Sequence, residues 1–464
     1  MPPETIELEE IGAPAPATAG ERRRAPPVAW VIAVVAVVAL VVTSGIAWHL
    51  HDQLSGARHR NALETPTTAV RLPRVAVNPD SGTGEFTAHL TTLEGHGLVA
   101  IASEGHLRII DGQHQLVRDI YRDTAVTRPA WSPSGRWLSY GFDNTEVWVT
   151  TAEETQAHQV GSVAAVQADT VAWSPVDDTL AMVTAAGVAL VSPDRVSSRP
   201  LPGTDGASSL AWSPDGRSLA VMTSQARRPR LIVASASGSA MLADIPTDDY
   251  LRLAGWRPDG GGVLAWRAPQ GSVSGAADGT DLLTIPLSGK AARLTTMLPY
   301  RAWLSWSPDR RHIVVVEGNG REASTGKHLA VCDVVAATCQ SIAAPAGTVA
   351  VDPAWSPDGS EIAYVQAAEE PGPGYGTWMN TRQLWTVKPD GSGAARLLGL
   401  IGADWPRWLA DGKRLLVIGD ENRLLVVGHT FFGYVAERLY QSEFPPGYYY
   451  GFVDWSQTLA WHPD

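Results

Sequence analysis

Five aspartates recur along this chain at intervals of 44 to 53 residues: Asp215, Asp259, Asp309, Asp358 and Asp411. Carboxylates repeated at one level of a repeating fold could ring a divalent cation. Each, however, lies three residues past a tryptophan, in a turn such as Trp212-Ser213-Pro214-Asp215-Gly216. There Pro sets φ, Asp accepts from the backbone two residues on and Gly frees the exit. Turn chemistry accounts for these carboxylates, and no metal site is expected from them. A second acidic set, Asp169, Asp205, Asp248, Asp249, Asp352 and Asp404, falls in loops leading into the repeats, with Arg128 and Arg301 in equivalent loops. Gathered at one end they would make either a weak cation site or a solvated acidic rim, and the rim is the expectation.

The candidate binding residues are Tyr375, Trp378, Asp404, Trp405, Tyr448, Tyr449 and Tyr450. Rigid, amphipathic rings on loops either dock a partner or pack the loops against one another. Cys332 and Cys339 are the only cysteines. A hairpin turn centred on Val335-Ala336 places them opposite each other, at a separation a disulfide can span. No His-Glu-x-x-His, P-loop or dinucleotide fingerprint is present. Gly271-Ser272-Val273-Ser274-Gly275 has its serines in the wrong places for a nucleophile elbow. The sequence therefore predicts neither an enzyme nor a cofactor.

What must position these residues is a repeat. An apolar pair, a tryptophan and a tight turn return at Trp131, Trp173, Trp212, Trp256, Trp306, Trp355 and Trp408, spaced by 39 to 53 residues, with a worn copy at Trp455. Short apolar runs follow each turn, such as Ser218-Leu219-Ala220-Val221-Met222. A third and fourth strand come later, as in Gln383-Leu384-Trp385-Thr386-Val387 and Ala395-Arg396-Leu397-Leu398. A four-stranded sheet of this kind cannot cover both faces alone, whereas a ring of them can. The fold class expected is all-β, a propeller of four-stranded antiparallel blades.

Three strand-like runs precede the first anchor, Gly97–Ile101, His106–Ile110 and Gln115–Arg118, and they lack an innermost strand. Gly451–Trp455 is an innermost strand lacking a blade. Joining them closes eight blades, with seven the alternative count. Trp then Ser-Pro-Asp-Gly, followed by Leu384-Trp385-Thr386-Val387 and Asp390-Gly391-Ser392, resembles the PD40 or TolB-like (WD40-like) propeller repeat of exported bacterial proteins. The resemblance implies a docking platform in the cell envelope, although TolB itself has six blades.

Residues 28–50 form one apolar segment that predicts a transmembrane helix. From Trp30 to Trp48 it would span roughly 27 Å, with Arg22, Arg23 and Arg24 holding the N-terminus in the cytoplasm. A cleaved signal peptide ending at Gly45-Ile46-Ala47 is the rival, and either exports the remainder of the chain. The expected organisation is a disordered cytoplasmic tail (1–27), the helix (28–50), a linker (51–85) and the propeller (86–464). A net charge of −12, with four lysines among 36 basic residues, argues against nucleic acid as a partner. Three consecutive repeats carry long loops, Ala268–Thr280, Glu317–Lys327 and Ala367–Thr381, which should form one raised lip. The favoured reading is a single-pass membrane protein displaying a binding propeller, its partner another envelope or membrane protein. The alternative is a ligand or carbohydrate sensor whose small molecule the sequence does not name. A metal-dependent, lactonase-like propeller hydrolase is the least favoured.

Overall fold

The computed structural model describes residues 97–462, apart from 104, 112–115, 122, 154–156, 196, 226–227, 248–250, 268–278, 289, 373–374, 398, 431–432 and 442–447. The expected tail, transmembrane segment (28–50) and linker lie outside the described residues. Among those described, no helix is long and apolar enough to cross a membrane.

Eight four-stranded antiparallel sheets follow one another along the chain, each built by strands in sequence order from the innermost outwards, except the first. Blade 1 takes its three outer strands from Leu98–Ser103, His106–Asp111 and Leu116–Tyr121. Blades 2 to 8 begin with the inner strands Val126–Trp131, Val171–Trp173, Ala207–Trp212, Leu251–Trp256, Leu304–Trp306, Thr348–Trp355 and Asp404–Trp408. Burial falls off with distance from the ring axis. Second strands are apolar along their central residues, and Ile313, Val314, Val315 and Val316 are all 0% exposed. Such a run needs a neighbour on each face, which only an adjacent blade on either side supplies. Outermost strands such as Leu116–Tyr121 and Ser197–Pro200 are mostly exposed, because wedge-shaped blades diverge at the rim.

Four of the recurring tryptophans, Trp131, Trp173, Trp212 and Trp408, tie blade to blade, whereas the Trp355 indole donates within its own turn to Gly359. The indole N–H groups of Trp173, Trp212 and Trp408 donate to the carbonyls of Ala130, Ala172 and Ala354 at 2.9, 3.0 and 3.0 Å, each the residue before the preceding blade's tryptophan. A small residue at that position leaves room for the ring. The turns behave as the sequence predicts. Asp215, Asp259, Asp309, Asp358 and Asp411 each accept the backbone N–H two residues on, at 2.8 to 3.0 Å. The Ser213 hydroxyl and the Arg217 N–H hold the Asp215 carboxyl below its usual range. Turns also stack around the ring. A Cβ added at Gly216, which has φ +67°, would lie 2.2 Å from Val176 in the turn of the previous blade.

Closure holds, but through a different strand from the one expected. Leu459–His462 pairs antiparallel with Leu98–Ser103, registering Leu98 with His462 and Ile101 with Leu459. Gly451–Trp455 instead supplies half of a short hairpin, Tyr448 with Val453 and Tyr449 with Phe452, and then a 3-10 turn, Trp455–Gln457. The eighth anchor is therefore Trp461, in Leu459-Ala460-Trp461-His462-Pro463-Asp464, a close copy of the Trp212 repeat. Its neighbours treat it as one: the Trp131 indole donates to the Ala460 carbonyl at 3.3 Å, and His462 fills the space over Gly135. In blade 6, Cys332 faces Cys339 across the outer hairpin and a disulfide joins them.

Candidate functional site

In blades 2, 7 and 8 the inner strand is irregular two to three residues before its tryptophan. Arg128, Asp352 and Trp405 sit there at φ +52°, +52° and +50°, each directly before a proline (Pro129, Pro353, Pro406). Proline removes a ladder donor, and the extra residue re-aims its side chain away from the strand pairing. The backbone strain of a left-handed arginine, aspartate or tryptophan marks the same end of the ring three times.

Two of these positions feed a buried charge network. Arg382, 1% exposed, donates to Asp404 through both terminal nitrogens (2.8 and 2.6 Å) and to Asp352 (2.6 Å). The indole of Trp303 donates to Asp352 at 2.9 Å and that of Trp455 to Asp404 at 2.8 Å. The guanidinium of Arg382 lies 4.8 Å from the Trp378 ring centroid. Blades 6, 7 and 8 and the C-terminal turn thus meet in one polar cluster. Burial and the neighbouring Asp404 carboxylate raise Asp352 well above the ordinary carboxyl range, against the pull of Arg382 and Arg407. Burial draws Arg407 down to about 10, with Asp352 and Asp404 opposing, so it stays cationic at neutral pH.

Beside this network lies a cavity of about 260 Å³, lined by Arg128, Arg252, Arg301, Tyr300, Phe452 and Asp454 among others. Arg252 forks onto Asp169 (2.5 and 3.1 Å) and reaches Gln167. Asp169 is 2% exposed, so it stands behind Arg252 and out of the water. Burial weighs against the Arg252 charge, but the Asp169 bonds outweigh it and raise the guanidinium above its ordinary value. Arg128 bridges to Asp454 at 3.0 Å. Arg301 donates to the Leu253 carbonyl at 3.1 Å, while its Nε is buried without a hydrogen-bond partner. Burial and then Arg252 push Arg301 down, and Asp169 only partly offsets this. Tyr300 and Phe452 stack at 3.7 Å to form an aromatic wall.

The long loops are tied to one another. The Gly279 N–H meets the Asn319 carbonyl at 3.2 Å; the Glu370 N–H meets Ser324 at 3.0 Å; the Ala323 N–H meets Tyr450 at 2.8 Å. Ser324 Oγ donates back to Glu370 (2.9 Å), and the Gly326 N–H reaches the Glu369 carboxylate (2.8 Å). Within the second loop Lys327, 1% exposed, straps the Gly320 and Thr325 carbonyls at 2.8 and 3.0 Å. Burial brings its ammonium down to about 8, against Glu322 and Glu369. The third loop is partly a helix, Tyr375–Thr381. Residues 268–278 of the first loop lie outside the described residues.

Of the predicted binding residues, Trp378 (1% exposed) and Trp405 (9%) are packing elements, and Asp404 (2%) is spent on Arg382. Tyr375 begins the helix of the third loop, and Tyr448 and Tyr449 form the short hairpin strand. Tyr450 is partly buried, its hydroxyl accepting from Arg321 at 3.2 Å. The acidic rim does not form as expected. Asp169, Asp352 and Asp404 are buried against arginines, Asp205 is exposed, and Asp248 and Asp249 lie outside the described residues. Among the described residues no group of three His, Cys, Asp or Glu side chains could hold a metal ion. Sequence reasoning missed Arg252, Arg382 and Arg407. The signal that could have found this end of the ring is the proline two residues before Trp131, Trp355 and Trp408.

No family model matches the sequence, and a search of curated proteins finds no match. Solved structures similar to it include the dihydro-heme d1 dehydrogenase NirN, at 15% identity and TM-score 0.51 over 84% of each chain. A putative TolB from Agrobacterium tumefaciens is 15% identical with TM-score 0.34, over 66% of this chain and 90% of that one. The β-propeller domain of the trilobed protease from Pyrococcus furiosus is 10% identical with TM-score 0.40, over 69% and 99%. The first likeness is one of fold alone, and the other two are too distant to carry an argument.

Proposed function

We propose that this chain is a membrane-anchored, extracytoplasmic β-propeller that serves as a protein-docking scaffold in the cell envelope. The observation that carries the reading is the lip. The long loops of blades 6 and 7, Gly279 at the end of the blade 5 loop, and the final hairpin are joined by hydrogen bonds at one end of the ring. Loops held this way lose little freedom on binding, which is what a docking surface over a rigid ring requires. The apolar segment at 28–50 supports anchoring, and the repeat resemblance supports an envelope role.

The test places a photo-crosslinking residue at exposed Glu369 on the lip, and separately at exposed Asp215 in a turn at the opposite end of its blade. A defined membrane or envelope protein should crosslink from position 369 and not from 215 in native membranes. Equal crosslinking from both, or recovery of the chain in the cytosolic fraction, would refute the reading.

A further inference from the structure

We infer that the channel mouth is a binding site for a small organic oxyanion, a phosphate ester or dicarboxylate, with Arg301 as its principal anchor. This site goes beyond the docking role and stands apart from it.

Three guanidiniums, Arg128, Arg252 and Arg301, face the 260 Å³ cavity, and Asp454 is the one carboxylate among its lining residues. Asp454 is taken by Arg128, and the buried Asp169 behind the wall is taken by Arg252. Arg301 has no carboxylate within ion-pair distance among the described residues, and its Nε–H is buried without an acceptor. A desolvated guanidinium with an idle donor is costly unless something supplies the missing charge and lone pairs. Planar guanidinium forks match the oxygens of carboxylate and phosphate. The Ser456 hydroxyl and the Gln457 amide on the lining both donate to Asp454, so the one carboxylate facing the cavity is held from several sides. The Tyr300–Phe452 stack supplies an apolar face for a carbon skeleton. Burial depresses the Arg301 charge and Asp169 offsets this only in part, with Arg252 adding to it, as befits a site that ligand completes. The cavity is large enough for a compact metabolite and too small for a folded partner.

The experiment is calorimetry on the purified full-length chain with glycerol phosphate, inorganic phosphate, succinate, glucose and calcium as separate probes. At least one of the three anions should bind, more weakly as salt rises. Phosphate or its ester binding alone marks a tetrahedral-oxyanion site, and succinate alone marks a dicarboxylate site. R301M should weaken the best anion by about tenfold or more, because a charge-assisted fork is removed, and R301K should fall between. D454N should tighten binding, since it frees Arg128 and removes the opposing charge. Silence of all three anions at roughly 10 mM in both calorimetry and thermal shift overturns the inference. So does undiminished binding in R301M, weaker binding in D454N, or binding of calcium or glucose instead. Crosslinking at Glu369 proceeds without any of these ligands, so failure here leaves the docking proposal standing.

Discussion

Replacing Arg382 by methionine tests the buried charge network most sharply. The guanidinium donates three hydrogen bonds to two carboxylates that are 2% and 4% exposed. Methionine fills much of the same space beside Trp378 and Met379 but offers no donor. Asp404 would keep the Trp455 indole and the Trp405 N–H, and Asp352 would keep the Trp303 indole, so neither carboxylate is wholly stranded. What is lost is the countercharge. Breaking a buried ion pair from one side costs about 3–5 kcal/mol. At ~2 cal/mol/K of unfolding entropy per residue, a ring of roughly 370 residues should lose about 5 °C in Tm for a 4 kcal/mol penalty. The penalty must also depend on pH, because the abandoned carboxylates can take up protons in the folded state. Each extra proton bound lets the loss shrink by up to ~1.4 kcal/mol per pH unit on acidification. Denaturant or thermal unfolding of parent and R382M at pH 5.5 and 8 measures both effects. A loss under about 1 kcal/mol at pH 8, or an equal loss at both pH values, would refute the network as described.

Three further outcomes are expected. Asp352 is raised in the folded state, so its proton stabilises the fold fully below the unfolded carboxyl range, and that contribution is lost as pH rises through the folded value. D352N cannot ionise and should flatten this part of the stability profile, matching the parent in acid and equalling or exceeding it at pH 8; a D352N profile as steep as the parent's would contradict the assignment. Gly216 and Gly260 occupy equivalent turns at φ +67° and +75°, but only a Cβ added at Gly216 would meet a neighbouring turn. G260A should cost about 1 kcal/mol from backbone strain alone, and G216A clearly more by chemical denaturation; equal costs would mean that the turns do not stack. Deleting residues 459–464 removes the strand that pairs with Leu98–Ser103 and exposes the inner edge of blade 1. That truncation should lose cooperative unfolding or aggregate, while unchanged thermal unfolding would show that closure there is dispensable.

Much of the ring was legible because its determinants are local. Trp, Ser, Pro, Asp and Gly within five positions specify a turn through bonds that never leave it, and apolar second strands report that both faces are covered. The closing strand was misplaced by a few residues because Trp455 and Trp461 both follow an apolar stretch. Only the Pro463-Asp464 continuation separates them. The lip was foreseeable from loop length, yet its hydrogen bonds were not.

Sequence alone determined the repeat, the blade type and the turn role of the recurring aspartates, since each depends on neighbours along the chain. Tertiary structure alone decided which charges meet. Arg252 finds Asp169 from 83 residues away and Arg382 finds Asp352 from 30, across blades whose order around the ring no local pattern encodes. Curling the chain into a circle brings the starts of distant inner strands to one mouth, and it is there that arginines outnumber the carboxylates left facing water.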